Sequence, residues 1–226
     1  MVEVVVFAEG ATEEQFIKRL VAPAVRHLQV FVKPQMLKTS QEARGGAINF
    51  DRLKFNARNT LRQNPECVLT TLLDLYGLDT SFPGFDEAKA KPDMVGRVKH
   101  LNAKLHEALV MHVGCRPERF IPHIQPYEFE GLLFSDTAAL AQTEPGWSAS
   151  LQELAKVRSA FPTPEHINDS METKPSRRPE QLLRPGYKKT RHGPLAAERV
   201  TLTTMERECP HFRGWMDNLR NLGAGV

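Results

Sequence analysis

The sequence predicts an α/β fold in which helices flank a mainly parallel sheet. Apolar runs of strand length alternate with helical patterns along the chain, which favours strand–helix–strand units. The first run is rich in β-branched and aromatic residues, as is typical of a strand covered on both faces, and a glycine turn and a helix follow it directly. With 226 residues, the chain is long enough to bury one core.

The opening of the chain predicts a strand, a tight turn and a helix. The strand covers residues 2–7 and ends just before Glu9 and a glycine. The helix is expected to start at Thr12, because Gln15 stands three residues later at capping-box spacing. The polar residues 34–50, which include two adjacent glycines, predict a loop.

The middle of the chain continues the alternation of helices and strands. The predicted elements are, in order, a helix over 50–61, a buried strand over 67–75, a helix over 95–112, a strand over 120–125 and a turn or helix over 127–134. Pro122 interrupts the last of these strands. Because proline cannot donate a ladder hydrogen bond, an edge or bulged strand is expected there.

The last third of the chain predicts a helical extension. A short helix is expected over 151–159, a proline-rich loop over 162–187 with a short helix near 179–183, and two closing helices over 194–209 and 212–222. We therefore divide the chain into an α/β core over 1–145 and a basic loop with C-terminal helices over 146–226. The second part is expected to pack on the first as one structural domain.

The composition excludes several classes of protein. Apolar residues make up 41% and charged residues 25%, which argues against a disordered chain, and no apolar run approaches the roughly 20 residues of a membrane helix. Three widely spaced cysteines argue against a disulfide framework. The N-terminus lacks the basic segment and cleavage site of a signal peptide, so we expect a cytoplasmic protein with no membrane partner.

Acidic residues follow the ends of all three predicted strands. Glu9 ends the first, Asp74 ends the second, Glu128 and Glu130 follow the third, and Glu13 lies one helical turn after Glu9. Since ligands of open α/β sheets gather at the carboxyl ends of the strands, these side chains are expected to converge. Converging carboxylates repel one another unless a cation neutralises them, so the pattern predicts that these five acids bind Mg²⁺ or Mn²⁺.

The acids also have structural interpretations. Glu13 lies in the first turn of a helix, where the helix dipole favours acidic residues. Asp74 shortly precedes a glycine and fits a turn. Glu9 is harder to explain in this way, because a carboxylate at the end of a buried strand needs a partner.

A basic segment over residues 174–192 is the second candidate site. It contains seven Lys and Arg residues and only one acid, and such a segment can neutralise nucleic-acid phosphates. Contacts with nucleic acid are predicted for Arg177, Arg178, Lys188, Lys189, Arg191 and His192. Tyr187 is expected to stack on an unpaired base. The alternative is a solvated loop that binds no ligand.

Four segments of the chain resemble a known family. VVVFAEGATE at 4–13 resembles the first motif of Toprim domains, and LLDLYGLD at 72–79 resembles the second, in which Toprim proteins carry Asp-x-Asp. With QPYEFEGLLFSD at 125–136 and PGYKKTRHG at 185–193, the chain is similar to a bacterial Toprim-like family of unknown function, DUF4276. That family is related to the overcoming-lysogenization-defect (OLD) nucleases.

The resemblance implies a Toprim-like sheet with a nuclease-type metal site. By position, Glu9 would be the acid of the first motif and Asp74 the first acid of the second. Glu130, or else Glu128, would be the later acid, and Lys189 would be the basic residue that contacts phosphate or stabilises the transition state. Glu9, Asp74, Glu130 and Lys189 are therefore the catalytic candidates.

One residue departs from the Toprim pattern. Tyr76 stands where the second acid of Asp-x-Asp is expected, and Asp79 does not have the spacing to replace it. The departure leaves open whether one metal ion or two would bind.

The expected function is that of a Mg²⁺- or Mn²⁺-dependent nuclease, with DNA favoured over RNA or a nucleotide. Because related nucleases act beside an ATPase, and this chain has no Walker sequence, the resemblance implies a separate ATPase partner and a role in defence against phage or plasmids. A homo-oligomer is left open. The alternative is a catalytically weak binding or effector subunit with a Toprim fold, which the tyrosine at position 76 favours.

Overall fold

A parallel sheet forms the centre of the fold. The structure is a computed structural model that describes residues 1–37, 48–168 and 174–224. Its strands are β1 (Val2–Ala8), β2 (Val30–Met36), β3 (Val68–Asp74), β4 (Phe120–Ile121) and β5 (Ile124–Gln125). The order is β2-β1-β3-β4, β5 also pairs with β3, and these pairings are parallel. The predicted α/β fold with a mainly parallel sheet flanked by helices is confirmed.

Helices occupy most of the remaining described chain. They are α1 (Ala11–Phe16), α2 (Ala22–Arg26), α3 (Phe50–Gln63), α4 (Phe85–Lys89), α5 (Met94–Val113), α6 (Glu130–Leu133), α7 (Thr137–Ala141), α8 (Leu151–Ser159), α9 (Arg177–Leu182), α10 (Lys189–Val200), α11 (Leu202–Glu208) and α12 (Pro210–Ala224). A π-helical turn over Ile17–Val21 joins α1 to α2 without a break. The C-terminal helical extension is therefore present as predicted.

The structure corrects three local predictions. The loop predicted over 34–50 is wrong at its start, because β2 continues to Met36. Pro34, which has no N–H to donate, fits there because β2 is an edge strand. The helix expected to start at Thr12 starts one residue earlier, after Gly10, and no side chain caps it. The single helix expected over 194–209 is two helices, since Thr201 has a left-handed φ of 72°. The glycine pair at 45–46 lies outside the described residues.

The sheet separates two apolar cores. Alternate residues of β1 point to opposite faces, so that Val4 and Val6 pack with the C-terminal helices while Val5 and Phe7 pack with α3 and α5. Trp215 of α12 reaches the sheet itself and donates a hydrogen bond to the Thr70 hydroxyl at 2.8 Å. Residues before and after position 145 thus share one core.

The strand predicted over 120–125 is interrupted at the expected place. β4 and β5 are separated by Pro122 and His123, and each pairs with β3. Thr71 of β3 bridges the gap, because its hydroxyl donates to the carbonyl of His123 and accepts from the amide of His123, both at 2.8 Å. β5 thereby stays in register, and its carboxyl end lies at the same edge of the sheet as those of β1 and β3.

Within the described part of the chain, no helix combines the length and the apolar character that crossing a membrane requires.

Candidate active site

Glu9 follows β1 directly and bonds to the neighbouring strand β3. Its Oε1 accepts a hydrogen bond from the backbone amide of Asp74 at 2.6 Å. The two acids come from positions 65 residues apart in the chain. Parallel pairing of β1 with β3 places both residues at the carboxyl edge of the sheet.

The ammonium group of Lys189 lies among three further carboxylate oxygens. Its Nζ is 3.3 Å from Glu13 Oε1, 3.4 Å from Glu130 Oε2 and 3.5 Å from Asp74 Oδ2. Glu13 belongs to α1, Glu130 begins α6 and Lys189 begins α10. We call Glu9, Glu13, Asp74, Glu130 and Lys189 the acidic cluster.

Two hydrogen bonds orient the carboxylates of the cluster. Asp74 Oδ1 accepts from the backbone amide of Phe129 at 2.8 Å, which ties the end of β3 to the segment before α6. The hydroxyl of Tyr187 donates to Glu130 Oε1 at 3.3 Å. Asp74 and Glu130 therefore each have one oxygen held by a hydrogen bond and the other facing Lys189.

Lys189 reaches the cluster because α10 packs closely on α1. Gly193 of α10 lies against Thr12 and Tyr187, so that a Cβ at this position would come within 2.7 Å of Thr12 Cγ2 and 3.2 Å of the Tyr187 hydroxyl. A glycine is needed here for space, since the nearest atom belongs to a packed β-branched side chain. The close approach brings the first turn of α10 to the carboxyl edge of the sheet.

Burial and mutual repulsion shift the pKa values of the cluster. Burial, with the nearby charge of Glu13, raises the pKa of Glu9 to about 8. Burial raises the pKa of Asp74 well above its usual value, although the Lys189 ammonium opposes the shift, and burial also raises the pKa of Glu130. Burial favours neutral Lys189, but the surrounding carboxylates outweigh this effect and raise its pKa. The raised pKa values mean that keeping Glu9, Asp74 and Glu130 ionised together is energetically unfavourable in this buried cluster.

The donor set of the cluster fits a hard divalent cation. Glu13 Oε1 and Glu130 Oε2 are buried and accept no hydrogen bond, and all four acids supply oxygen, the ligand type that Mg²⁺ and Mn²⁺ prefer. As the side chains stand, the described residues contain no group of three or more His, Cys, Asp or Glu arranged to hold a metal ion. The carboxylates instead surround the single ammonium of Lys189.

Glu128 lies outside this arrangement. Its carboxylate accepts from Lys174 Nζ at 2.6 Å and from the backbone amide of Ser176 at 2.8 Å. Burial raises the pKa of Glu128, but these two hydrogen bonds outweigh burial and lower the pKa overall. Between the two acids that the sequence left open, the structure brings Glu130 to Lys189 and leaves Glu128 in a separate ion pair.

Tyr76 stands at the position where the resemblance to Toprim domains predicts a second acid. Its ring packs against Tyr127 with the centroids 5.5 Å apart, and its amide donates to the carbonyl of Tyr127 at 3.1 Å. The segment around Tyr76 therefore braces the chain before α6, which carries Glu130.

The basic segment is only partly available to a ligand. Arg177 pairs with Glu180 at 2.9 Å and Arg191 pairs with Glu144 at 2.9 Å, but both remain largely exposed, as does Lys188. Arg178 is half-buried. The sequence thus places four basic residues before and after Lys189, and their side chains differ in exposure: Arg177, Arg178, Lys188 and Arg191.

Two predicted nucleic-acid contacts do not fit the structure. His192 is 2% exposed, its Nδ1 accepts from the amide of Lys188 at 2.8 Å, and its Nε2 lies 3.6 Å from Glu144. Tyr187 is buried and bonded to Glu130, so stacking on an unpaired base is wrong for this residue. The role of Tyr187 beside Glu130 was missed in the sequence, although its position two residues before Lys189 was a usable signal.

Comparison with known proteins identifies one family. A family model described as a domain of unknown function, DUF4276, matches residues 8–220, nearly the whole chain. No curated protein and no solved structure matches the chain.

Proposed function

We propose that this chain, which belongs to the DUF4276 family, is a divalent-metal-dependent nuclease whose active site is the acidic cluster. The observation that carries the proposal is the convergence of Glu9, Asp74 and Glu130 on one buried point beside Lys189. The proposal includes a relationship of the family to Toprim domains and OLD nucleases, for which the four sequence segments are the support.

Glu9, Glu13, Asp74 and Glu130 would hold Mg²⁺ or Mn²⁺. When bound, such an ion lowers the pKa of a coordinated water and offsets charge on a phosphoryl oxygen. Glu13 Oε1 and Glu130 Oε2 have ion pairs with Lys189 and no hydrogen bonds, so both are available to a metal ion if the ammonium moves. The raised pKa values of Glu9 and Asp74 support a cation at this point.

The protein's own groups would act on the phosphate and on the carboxylates. The side chain of Lys189 is 38% exposed, so its ammonium can turn towards a bound phosphate and offset the charge that develops there. Phe129 and Tyr187 hold Asp74 and Glu130 in place by their hydrogen bonds.

Exposed cations beside the cluster would hold the nucleic-acid backbone. Lys188 directly precedes Lys189 and is exposed, and Arg191 and Arg177 present exposed guanidinium groups. Such contacts supply affinity that is independent of sequence and falls as salt rises. DNA is the favoured substrate. We further propose a cytoplasmic role beside a separate ATPase in defence against phage or plasmids, which rests on the resemblance alone.

The test is metal-dependent cleavage of supercoiled plasmid and of single-stranded DNA. We expect the wild type to cut with Mg²⁺ or Mn²⁺ and not with EDTA. Asp74→Asn and Glu9→Gln should each lower the rate by about 100-fold or more, since either change removes a carboxylate from the metal site. Glu14→Gln is the matched control: this neighbouring acid pairs with Lys18 on the helix surface and should leave cleavage unchanged.

Two results would contradict the proposal. The first is a wild type that cuts neither DNA nor RNA with any of these ions. The second is cutting that survives Asp74→Asn, because a contaminating nuclease would then explain the activity.

A second candidate is a binding or effector subunit with little catalysis. Two observations favour it: Tyr76 stands in place of an acid and packs on Tyr127, and the Lys189 ammonium already neutralises part of the cluster. This candidate predicts that the folded wild type binds DNA or an ATPase partner without cutting. The same cleavage assay, combined with a DNA-binding measurement, separates the two candidates.

A further inference from the structure

The turn after β3 wraps around the carboxylate of Glu9. One oxygen of Glu9 is bonded to the amide of Asp74, at the start of the turn. The 3₁₀ turn Leu75–Gly77 then brings Gly77 back to the same carboxylate. A Cβ built on Gly77 would lie 2.5 Å from Glu9 Oε2 and 2.7 Å from its Cδ, and closer still to Oε1. Real Cβ atoms essentially never approach other atoms below 3.0 Å.

Gly77 is required for space rather than for backbone conformation. The described glycines with a left-handed φ are Gly84, Gly114 and Gly146, and Gly77 is not among them. Alanine can therefore adopt the backbone of position 77 without strain. The atoms it would strike belong to the end of a flexible side chain, so the carboxylate would move while the turn stayed in place.

We propose that Gly77 is a positioning residue for Glu9: its lack of a side chain is what allows the Glu9 carboxylate to stay on the Asp74 amide, inside the acidic cluster. The inference rests on the proposed metal site and extends it to a residue that touches neither the metal nor the substrate. Any larger side chain at position 77 would expel the carboxylate and leave the amide of Asp74 without its acceptor.

The experiment is Gly77→Ala in the full chain, followed by two readouts. Titration calorimetry with Mn²⁺ alone measures metal affinity, which we expect to fall by about 10- to 100-fold, the range typical of a lost supporting contact. The ¹H–¹⁵N signal of the Asp74 amide reports the hydrogen bond to Glu9 directly, and we expect it to move and its hydrogen exchange to accelerate. Gly214→Ala, on a helix with nothing within 4 Å, should change neither readout.

A compensating variant separates positioning from general damage. Glu9→Asp shortens the side chain by one methylene, about 1.5 Å, which makes room for a Cβ at position 77. In that background, adding Gly77→Ala should change Mn²⁺ affinity by less than about threefold, a strong departure from additivity. Should Gly77→Ala fail to fold alone, recovery of the fold in the double variant supports the inference, and failure of both overturns it.

The outcomes also separate this inference from the proposed function. Unchanged Mn²⁺ affinity together with an unchanged Asp74 amide signal in Gly77→Ala overturns the positioning role, whatever the nuclease assay shows. A wild type that binds no Mn²⁺ overturns the metal site, and the Asp74 amide signal then decides the role of Gly77 by itself.

Discussion

Replacing Lys189 with methionine removes the ammonium from the centre of the acidic cluster while keeping most of the unbranched apolar part of the side chain. In the wild type, Nζ lies 3.3–3.5 Å from carboxylate oxygens of Glu13, Asp74 and Glu130. The variant leaves these carboxylates without their cation. Because they are buried, water can replace the lost partner only in part.

The size of the effect follows from these distances. At 3.4 Å and an effective dielectric constant of about 20, one such pair is worth roughly 5 kcal/mol before desolvation is subtracted. Loss of one partner of a buried pair lowers the free energy of unfolding by about 3–5 kcal/mol. Because the Lys189 side chain is 38% exposed, solvent screens its charge in part, and we expect a loss of about 2–4 kcal/mol. For a chain of this length, that corresponds to a fall in Tm of about 4–16 °C.

The sign of the pH dependence is fixed by the raised pKa of Glu9. Burial and the charge of Glu13 raise this pKa from 4.5 to about 8, so the native state holds a proton that the unfolded chain has lost between these two values. The stability that this proton provides is complete below pH 4.5 and is lost as the pH rises towards 8. Without Lys189 the carboxylates repel more strongly, so the loss of Tm in Lys189→Met should be small at pH 5 and largest at pH 8.

The assay is thermal unfolding followed by circular dichroism at pH 5 and pH 8, with EDTA and with excess Mn²⁺. We expect Mn²⁺ to restore more stability to Lys189→Met than it adds to the wild type, since the ion takes the place of the ammonium. Lys188→Met removes an exposed charge from the adjacent position and is the control. A Tm within 2 °C of wild type at pH 8 in EDTA, or equal losses at both pH values, would show that the buried carboxylates do not depend on the Lys189 ammonium.

Three further predictions concern the anchoring of α12 and the binding of nucleic acid. Glu165→Ala removes the buried carboxylate that accepts hydrogen bonds from two backbone amides at the start of α12. We expect the free energy of unfolding in urea to fall by about 2–6 kcal/mol. The control is Glu153→Ala, at an exposed position, which should leave the free energy of unfolding unchanged. Thr70→Val leaves the indole N–H of Trp215 unpaired in the core and should cost about 1–3 kcal/mol by the same measurement, with an unchanged m value. Lys188→Ala should weaken DNA binding at low salt and reduce the slope of log K against log salt by about one, whatever the DNA sequence; an unchanged slope would exclude a phosphate contact.

The sequence was sufficient to predict which strands carry the acids. β1 and β3 are covered on both faces, so apolar and β-branched residues fill most of both strands, and their ends are clear at Glu9 and Asp74. β2 was missed because it is an edge strand, whose burial alternates and whose sequence contains Lys33 and Pro34. Such a mixed sequence is also typical of a loop, and only its pairing with the neighbouring strand β1 identifies it as a strand.

The acidic cluster was only partly predictable, because its details depend on packing between distant segments. Parallel strands bring Glu9 and Asp74 to one edge of any such sheet. Whether Glu128 or Glu130 joins the cluster depends on Lys174, which lies 46 residues after Glu128 and forms an ion pair with it. No local pattern specifies that partner.

The basic segment illustrates a second limit. Residues close together in sequence were assigned one common role, but α10 turns successive side chains in different directions. Lys189 enters the cluster, Arg191 stays at the surface with Glu144, and His192 is buried. Charge density along a chain predicts a basic region; only the helix orientation decides which of its members can meet a phosphate.

The proposed function requires that four carboxylates from distant parts of the chain bind a divalent cation between them. The decisive measurement is anomalous diffraction from a crystal of the wild type soaked in Mn²⁺. We expect an anomalous peak about 2–2.5 Å from oxygens of Asp74, Glu130 and at least one of Glu9 and Glu13, with the Lys189 ammonium displaced from its place among them. A fully occupied Lys189 between the same carboxylates, with no peak in the cluster at saturating Mn²⁺, would contradict it.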